Sequence, residues 1–239
     1  MKAVILVAGI SRRLFPSTLE VPKCLLKVGG RTIMEHQLLA LEQIGITDVV
    51  MVVGYRREQV MALARELYPA FNFTFIVNHH FFDTNTAYSL WLAGEHFKQR
   101  DFLYLNGDVI FPPAMLERLI ASEHPNALAV EVKACGDEEV KVAVKGSRIV
   151  DIGKGIVAEA ALGEFIGIAR FSAGFCAPFF QELGDIVAAG MNSAYFEYAL
   201  KRLAGRQELH LVDVSDQPCI EIDFPEDLER AEELVRKFS

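Results

Sequence analysis

The feature that most constrains the fold is the alternation of short apolar runs with helix-like segments along the first 110 residues. Residues 3–8 form a continuous apolar run, as expected of a buried parallel strand. Further strands are predicted at 49–53, 73–77 and 102–105. Helices are predicted from Thr32 to about 44, over 57–67, and from Asn85 or Thr86 to about 97. This alternation predicts an α/β fold with a mostly parallel sheet and helices on both faces.

The second half has a different pattern. Strand-like segments at 127–132, 140–144, 148–152 and 165–171 follow one another with little helix between them, and Gly146-Ser147 predicts a hairpin turn. We therefore expect an antiparallel excursion of the sheet. Helices are predicted near 177–189 and 195–203, and Pro225 is expected to open a last helix that runs to about 238.

Charge and cysteine spacing exclude several classes of protein. Acidic residues outnumber basic ones by 32 to 24 and the net charge is −8, so we expect no nucleic-acid partner. The four cysteines, Cys24, Cys135, Cys176 and Cys219, lack the spacing of a zinc site or a disulfide framework. No apolar run approaches the roughly 18 residues of a membrane span. We expect a cytoplasmic protein without a membrane partner.

A small-residue turn follows the first strand, where open α/β sheets bind nucleotides. Ala8 and Gly9 would let backbone N–H groups approach phosphate oxygens, and Ser11 offers a hydroxyl donor. Arg13 and Lys23 supply the cations that a triphosphate needs. An ordinary strand–helix turn with exposed basic residues would give the same spacing. The motifs of P-loop kinases and of dinucleotide-binding folds are both absent from the sequence.

Residues 3–35 resemble the opening of nucleotidyltransferases that make sugar nucleotides and CDP-alcohols. That opening reads AxGxGxR, then L-x-P, then PKxL and a glycine-led helix start. The matching residues are Ala8-Gly9, Arg13, Leu14, Pro16, Pro22-Lys23-Cys24-Leu25, Gly29-Gly30 and Ile33. Ser11 departs from the pattern, because many members have glycine there. The resemblance implies a single Rossmann-like, glycosyltransferase-A-like mixed-sheet domain over 1–239, with a nucleotide-binding half at about 1–110 and an acceptor-binding half at about 111–239.

Two aspartates match the metal ligands of the resembled family. Asp108 follows a strand in an Asn-Gly-Asp sequence, and Asp223 opens an element similar to the family's D-x-PEDL. Carboxylates at strand ends suit Mg²⁺, which prefers one or two carboxylates together with phosphate oxygens and water. The plainer interpretation is a turn-capping aspartate at Asp108. Glu226 and Asp227 are interpreted as charges that complement the dipole of the last helix.

The resemblance also implies which residues bind the nucleotide base. Gly54-Tyr55 matches a VxGY element near the base. Residues 83–90 resemble the TN-x-YSL element of phosphocholine-type and inositol-phosphate-type cytidylyltransferases. Asn85 offers the donor and the acceptor that a cytosine edge requires, and Ser89 is a second polar candidate. CTP is therefore the expected nucleotide, although Asn85 would also serve as a simple helix cap.

Four residues of the second half are candidates for binding the acceptor. Lys141 and Lys154 would face its phosphate, while Glu164 and Glu197 would contact a hydroxyl or an ammonium group. Solvated strand and turn lysines are the plainer interpretation of Lys141 and Lys154. The expected partners are CTP and a small phosphorylated acceptor, and a homodimer is left open.

The resemblance implies a Mg²⁺-dependent transfer of CMP from CTP to a small phosphorylated or phosphonylated alcohol, with release of pyrophosphate. Arg13, Lys23 and Asp108 are the expected catalytic residues. A phosphate monoester has a second pKa near 6 and needs no general base at neutral pH. The alternatives are a hexose-1-phosphate uridylyl- or thymidylyltransferase and, from another class, a non-catalytic nucleotide-binding module.

Overall fold

A computed structural model describes residues 1–238 and contains a central mixed sheet. The strands, in chain order, are β1 Lys2–Val7, β2 Lys27–Val28, β3 Arg31–Thr32, β4 Asp48–Val53, β5 Asn72–Val77, β6 Phe102–Asn106, β7 Val109–Ile110, β8 Ala127–Glu131, β9 Lys141–Lys145, β10 Arg148–Gly153, β11 Gly163–Phe171, β12 His210–Asp213 and β13 Ile220–Glu221. The helices are α1 Ile33–Gln43, α2 Arg57–Leu67, α3 Thr86–Leu92, α4 Pro113–Ala121, α5 Ala173–Ala188, α6 Glu197–Leu203 and α7 Pro225–Val235.

The strand order in the central sheet is β5-β4-β1-β6-β11-β8-β12-β10-β9. The block β5-β4-β1-β6 is parallel, as the sequence predicts. Beyond β6, the expectation of a mostly parallel sheet is wrong, and the expected antiparallel excursion is found instead. There, β11 runs antiparallel to both β6 and β8, and β9 and β10 form an antiparallel hairpin at Gly146-Ser147. The β8–β12 pair is the only parallel one in this half of the described sheet.

Helices cover both faces of this sheet. Apolar residues of α1, α2 and α4 pack in one core cluster, and those of α3, α5 and α6 pack in another on the opposite face. A third, smaller cluster joins α7 to β2 and β7. Burial on both faces explains why β1 and β4 are continuous apolar runs rather than alternating ones.

Several boundaries follow from local chemistry. Thr32 caps α1 as predicted: its hydroxyl accepts from the Glu35 N–H at 3.1 Å, and the Glu35 carboxylate accepts from the Thr32 N–H at 2.7 Å. The helix predicted to run to residue 97 instead ends at Leu92 and continues as a 3₁₀ turn, Gly94–Phe97. The sequence analysis did not anticipate α4 or β12.

Gly107 shows how closely the strands approach at the end of β6. A Cβ atom at this position would lie 2.4 Å from the carbonyl oxygen of Leu6 in β1. Only glycine lets the turn before Asp108 lie against the end of β1.

Two further expectations concern the whole chain. The four cysteines, two of them buried, are free thiols in the structure. Within residues 1–238, every helix is too short or too polar to span a bilayer.

Candidate active site

A cleft of about 610 Å³ opens where β1 and β6 end, at the edge of the sheet predicted to bind the nucleotide. Both halves of the sequence contribute to its wall. The predicted site residues that line it are Ala8, Gly9, Ser11, Arg13, Lys23, Asn85, Ser89, Asp108, Lys154, Glu164, Glu197 and Asp223. Gly54, Tyr55 and Lys141 are not among the lining residues.

The loop after β1 leaves room for a ligand. A Cβ atom added at Gly9 would meet no heavy atom within 4 Å, so packing of the fold does not require glycine there. Ser11 adopts φ 56°, a left-handed conformation that favours glycine, and its carbonyl accepts from the Thr18 hydroxyl at 2.9 Å. This backbone explains why many members of the resembled family have glycine at the position of Ser11.

Lys23 joins two carboxylates in the floor of the cleft. Its ammonium donates to Asp108 Oδ2 at 2.9 Å and to Asp223 Oδ1 at 2.8 Å, and the residue is only 8% exposed. Burial alone lowers the pKa of Lys23, but the charges and hydrogen bonds of the two aspartates outweigh it and raise the pKa. Lys23 therefore stays protonated at any physiological pH.

Three carboxylates meet beside this lysine. One oxygen each from Asp108, Glu221 and Asp223 lies within 4.8 Å of the other two. The Oδ1 atom of Asp108 is buried and has no hydrogen-bond partner among the described residues. Oxygen ligands and an unpartnered carboxylate atom fit a hard cation such as Mg²⁺. The cluster could therefore hold a divalent metal ion.

Glu221 is not among the site residues predicted from the sequence, although a signal was present. Glu221 and Asp223 are two residues apart along an extended segment that leads out of β13, and such positions lie on the same side of a strand. Burial would raise the pKa of Asp223, but Lys23 and Arg13 hold it below its usual value. Asp223 therefore remains ionised at neutral pH.

Glu138 lies between Arg13 and Lys154 and contacts both. It is another residue of the site that was not predicted from the sequence. Arg13 contacts Asp223 Oδ2 at 3.3 Å and Glu138 Oε2 at 3.6 Å, and the same Glu138 oxygen lies 3.4 Å from Lys154 Nζ. A single carboxylate thus lies between two cations at the mouth of the cleft. Glu138 is in an irregular loop, where no periodicity marks the direction of a side chain.

The predicted base-binding residues divide into two groups. Asn85 caps α3, because its side-chain oxygen accepts from the Thr86 N–H at 2.8 Å, and it also lines the cleft. The Ser89 hydroxyl accepts a hydrogen bond from the Asn78 side chain at 3.1 Å. Asn78, which the sequence analysis did not select, lines the same wall.

Gly54 and Tyr55 support the loop instead of facing the cleft. A Cβ atom at Gly54 would lie 2.6 Å from the Ala8 carbonyl oxygen, and the Tyr55 N–H donates to that oxygen at 3.0 Å. The Tyr55 hydroxyl donates to the carbonyl of Leu19. In this chain the VxGY element therefore packs beneath the loop that follows β1.

The acceptor candidates also differ from one another. The Lys141 ammonium does not face the cleft but donates to the Lys154 carbonyl at 2.8 Å, so it holds the turn that carries Lys154. Glu164 is paired with Lys133 at 2.7 Å. Burial raises the pKa of Glu164, and Lys133 opposes that effect.

Glu197 has no such partner. It is buried at the start of α6, and burial raises its pKa to about 7. Its Oε2 atom lacks a hydrogen-bond partner in the described part of the chain.

Comparison with known proteins decides the family. Residues 3–159 match the model of the MobA-like NTP transferase domain. The chain belongs to this family. This confirms the nucleotidyltransferase resemblance recognised in the first 35 residues.

Two curated relatives and one solved structure extend the match along nearly the whole chain. A CMP-5'-(3-aminopropyl)phosphonate synthase of Streptomyces rubellomurinus is 32% identical over 97% of this chain, which spans 38% of that protein. A bifunctional IPC transferase and DIPP synthase of Aquifex aeolicus is 30% identical over 98% of this chain, which spans 52% of it. The CTP:phosphocholine cytidylyltransferase of Streptococcus pneumoniae superposes with a TM-score of 0.80 at 21% identity, covering 98% of both chains. The chain thus spans about half or less of the two curated relatives, while the solved structure shares its fold.

Proposed function

We propose that this chain is a cytidylyltransferase that transfers CMP from CTP to a small phosphorylated or phosphonylated alcohol and releases pyrophosphate. The observation that carries the proposal is the position of Lys23. Its buried ammonium joins Asp108 to Asp223 in the floor of the cleft, which also contains the open loop at Gly9. Two similar proteins, the CMP-5'-(3-aminopropyl)phosphonate synthase and the CTP:phosphocholine cytidylyltransferase, support cytidylyl chemistry on small acceptors.

In the proposed reaction, an oxygen of the acceptor phosphate or phosphonate attacks the α-phosphorus of CTP. A new phosphorus–oxygen bond forms, the bond to the bridging oxygen of the β-phosphate breaks, and pyrophosphate leaves. A phosphate acceptor is largely dianionic at neutral pH, so it needs no general base. The main barrier is repulsion between anions, which cations and fixed donors in the cleft reduce.

Each charged residue has a role in lowering that barrier. Lys23 neutralises charge where the α-phosphate and the incoming oxygen meet. Arg13 binds the β- and γ-phosphates, for which it exchanges its contacts with Asp223 and Glu138. The backbone at Ala8 and Gly9 holds the triphosphate, and the Ser11 hydroxyl adds a minor contact. Asn85 recognises the cytosine edge and Ser89 supports that wall through Asn78.

Three carboxylates would hold Mg²⁺, those of Asp108, Glu221 and Asp223. Their oxygen atoms suit this ion, and the Asp108 Oδ1 atom has no other partner in the described part of the chain. The ion would supply charge neutralisation on the triphosphate. Lys154 lies toward the acceptor, and Lys141 keeps its turn in place. We place the nucleotide-binding half at about 1–110 and the acceptor-binding half at about 111–239 of a single domain, with Asp223 reaching from the second half into the first.

The test is a grid of pyrophosphate release. CTP, UTP, dTTP, ATP and GTP are each combined with phosphocholine, phosphoethanolamine, 2-aminoethylphosphonate, inositol 1-phosphate, glycerol 3-phosphate and glucose 1-phosphate. We expect turnover with CTP and one of the first five acceptors, dependent on Mg²⁺ and abolished by a chelator. A best rate for UTP or dTTP with glucose 1-phosphate would overturn the proposal, and so would the absence of turnover throughout the grid.

A further inference from the structure

Glu197 is a buried acid that the proposed transfer chemistry leaves without a task. It is 6% exposed, it lines the cleft, and its Oε2 atom has no hydrogen-bond partner among residues 1–238. A buried carboxyl oxygen without a partner costs free energy that the fold does not recover. Such an atom at the wall of a binding cleft indicates that its partner arrives with a ligand.

Asp108, Glu221 and Asp223 belong to the carboxylate cluster described above, and the other acids nearby have cationic partners. Glu164 is paired with Lys133 at 2.7 Å, and Glu138 lies between Arg13 and Lys154. Glu182, a second buried glutamate on the same face of the sheet, is paired with Arg202 at 2.7 Å. Among the buried glutamates that the structure describes, Glu197 alone both faces the cleft and lacks a cation.

The surroundings of Glu197 favour a cationic ligand group over a neutral one. Two charged groups act on Glu197 in opposite directions: Lys154 favours its ionised form and Asp108 disfavours it. Tyr104 is a further titratable group that interacts with it. Lys154 makes its ion pair with Glu138, so it acts on Glu197 only from a distance. Asp108 is bonded to Lys23, so its negative charge is already paired. Ionised Glu197 has no cation of its own, and a ligand ammonium would supply one, whereas a hydroxyl would not.

We propose that Glu197 is the specificity-determining residue for the acceptor and that it binds an ammonium group at the end of the acceptor remote from its phosphate or phosphonate. This inference rests on the proposed function and narrows its acceptor to an aminoalkyl compound. It also assigns different tasks to the two acidic candidates of the second half. Glu197 contacts the ligand, and Glu164 keeps Lys133 in place.

Two acceptors that differ in one group test the inference. Phosphoethanolamine and 2-hydroxyethyl phosphate have similar shape, but only the first bears an ammonium. Their Kd values are measured by titration calorimetry, which needs no turnover. We expect the ammonium compound to bind the wild type ten- to a hundredfold more tightly, since hydrogen bonds to charged groups contribute about 1.5–3 kcal/mol. Equal Kd values would overturn the inference whether or not the protein turns over CTP.

The variant Glu197→Gln keeps the size of the side chain and removes its charge. We expect it to lose the preference for phosphoethanolamine while its Kd for 2-hydroxyethyl phosphate changes less than about threefold. The matched control is Glu159→Gln, an exposed glutamate outside the cleft, which should keep the wild-type preference. A Glu197→Gln protein that weakens both acceptors equally would contradict the proposal.

A third measurement uses only the wild type. A carboxyl with a pKa of about 7 is partly protonated at neutral pH, and a bound ammonium would ionise it. Binding of phosphoethanolamine should release up to about half a proton per site at pH 7, read from the dependence of the binding enthalpy on the buffer. 2-Hydroxyethyl phosphate carries the same phosphate but no ammonium, so it should release clearly less. Equal release for both would overturn the assignment. If the grid shows turnover but the two acceptors bind alike, only the inference fails and the proposed function stands.

Discussion

The two sides of the cleft differ in how their charges are arranged before any ligand binds. On the nucleotide side, Lys23 is bonded to Asp108 and Asp223, and Arg13 is paired with Asp223. On the acceptor side, Glu197 is buried without a cation. On the proposed nucleotide side, acidic partners thus preorganise the cations before a triphosphate binds, whereas Glu197 on the proposed acceptor side has no cation until a ligand supplies one. The variants below test each half of this comparison.

The largest effect is expected from Asp108→Asn. The change removes a charged metal ligand and one of two anions bonded to Lys23, but it alters little volume. We expect pyrophosphate release to fall by roughly a thousandfold, because charge stabilisation of this kind contributes several kcal/mol to the transition state. The melting temperature should stay within a few degrees of the wild type. Initial rates and thermal unfolding are measured on the same sample.

Glu226→Gln is the control for Asp108→Asn. Glu226 is an exposed acid in the first turn of α7 and does not line the cleft. It should keep the wild-type rate and lose no more than about 1 kcal/mol of stability, the contribution of a charge to the helix dipole. A near-normal rate of Asp108→Asn in saturating Mg²⁺ would show that the carboxylate cluster does not hold the catalytic metal.

Lys23→Met asks whether the buried ammonium acts in the transition state. Methionine retains most of the stem volume and removes the charge. If Lys23 acts where the two phosphates meet, kcat should fall about a hundredfold while KM for CTP rises less than fivefold. Lys27→Met, at an exposed position on β2, is the matched control. A rise in KM with unchanged kcat would make Lys23 an anchor for the bound triphosphate.

How much of this site the sequence predicts depends on the kind of element that carries each residue. Asp108 follows a strand with a strong apolar pattern, and its place at the nucleotide-binding edge was predicted. Lys141 was expected to face an acceptor, but its direction depends on how β9 pairs with β10 and β11, which is a long-range property. Glu138 is in an irregular loop, and no sequence pattern shows that Glu197 lacks a partner.

The fold shows the same division. The parallel block forms from local strand–helix units, whose periodicity is visible in sequence. The strand β12 has only four residues, and it is stabilised by pairing with β8 and β10, about 80 and 60 positions away. Such a short segment becomes a strand through its neighbours, so intrinsic propensity does not reveal it.

Glu197→Gln should change the pH dependence of stability. Burial raises the pKa of Glu197 to about 7 in the folded protein from its ordinary value of 4.5, so the folded state binds the proton more tightly. The stabilisation that this tighter proton binding provides is fully present below pH 4.5 and is lost as the pH rises through 7. Glutamine carries no such penalty. Between pH 4.5 and 8, the free energy of unfolding of the variant should therefore rise by roughly 3 kcal/mol relative to that of the wild type.

Urea unfolding at five or six pH values measures this difference. Glu182→Gln is a useful comparison, because Glu182 is buried but paired with Arg202. Removing one partner of that pair should destabilise the protein at neutral pH. A constant difference between Glu197→Gln and the wild type across the range would show that Glu197 is already ionised and neutralised in the free protein.

The smallest effect is expected at Ser11, which departs from the glycine of the resembled motif. Ser11 has φ 56°, a conformation that costs a residue with a Cβ atom about 1 kcal/mol. Ser11→Gly removes this cost but gives the unfolded chain more freedom, so the net gain in stability should stay below about 1 kcal/mol. Ser11→Ala keeps the strain and removes only the hydroxyl. If the backbone of this loop binds the triphosphate, both variants should bind CTP within threefold of the wild type, and only the glycine variant should be more stable. If both variants instead lost CTP affinity equally, the Ser11 hydroxyl would be the group that binds the triphosphate. The preorganisation of the proposed nucleotide side would then depend on a side-chain atom that glycine lacks.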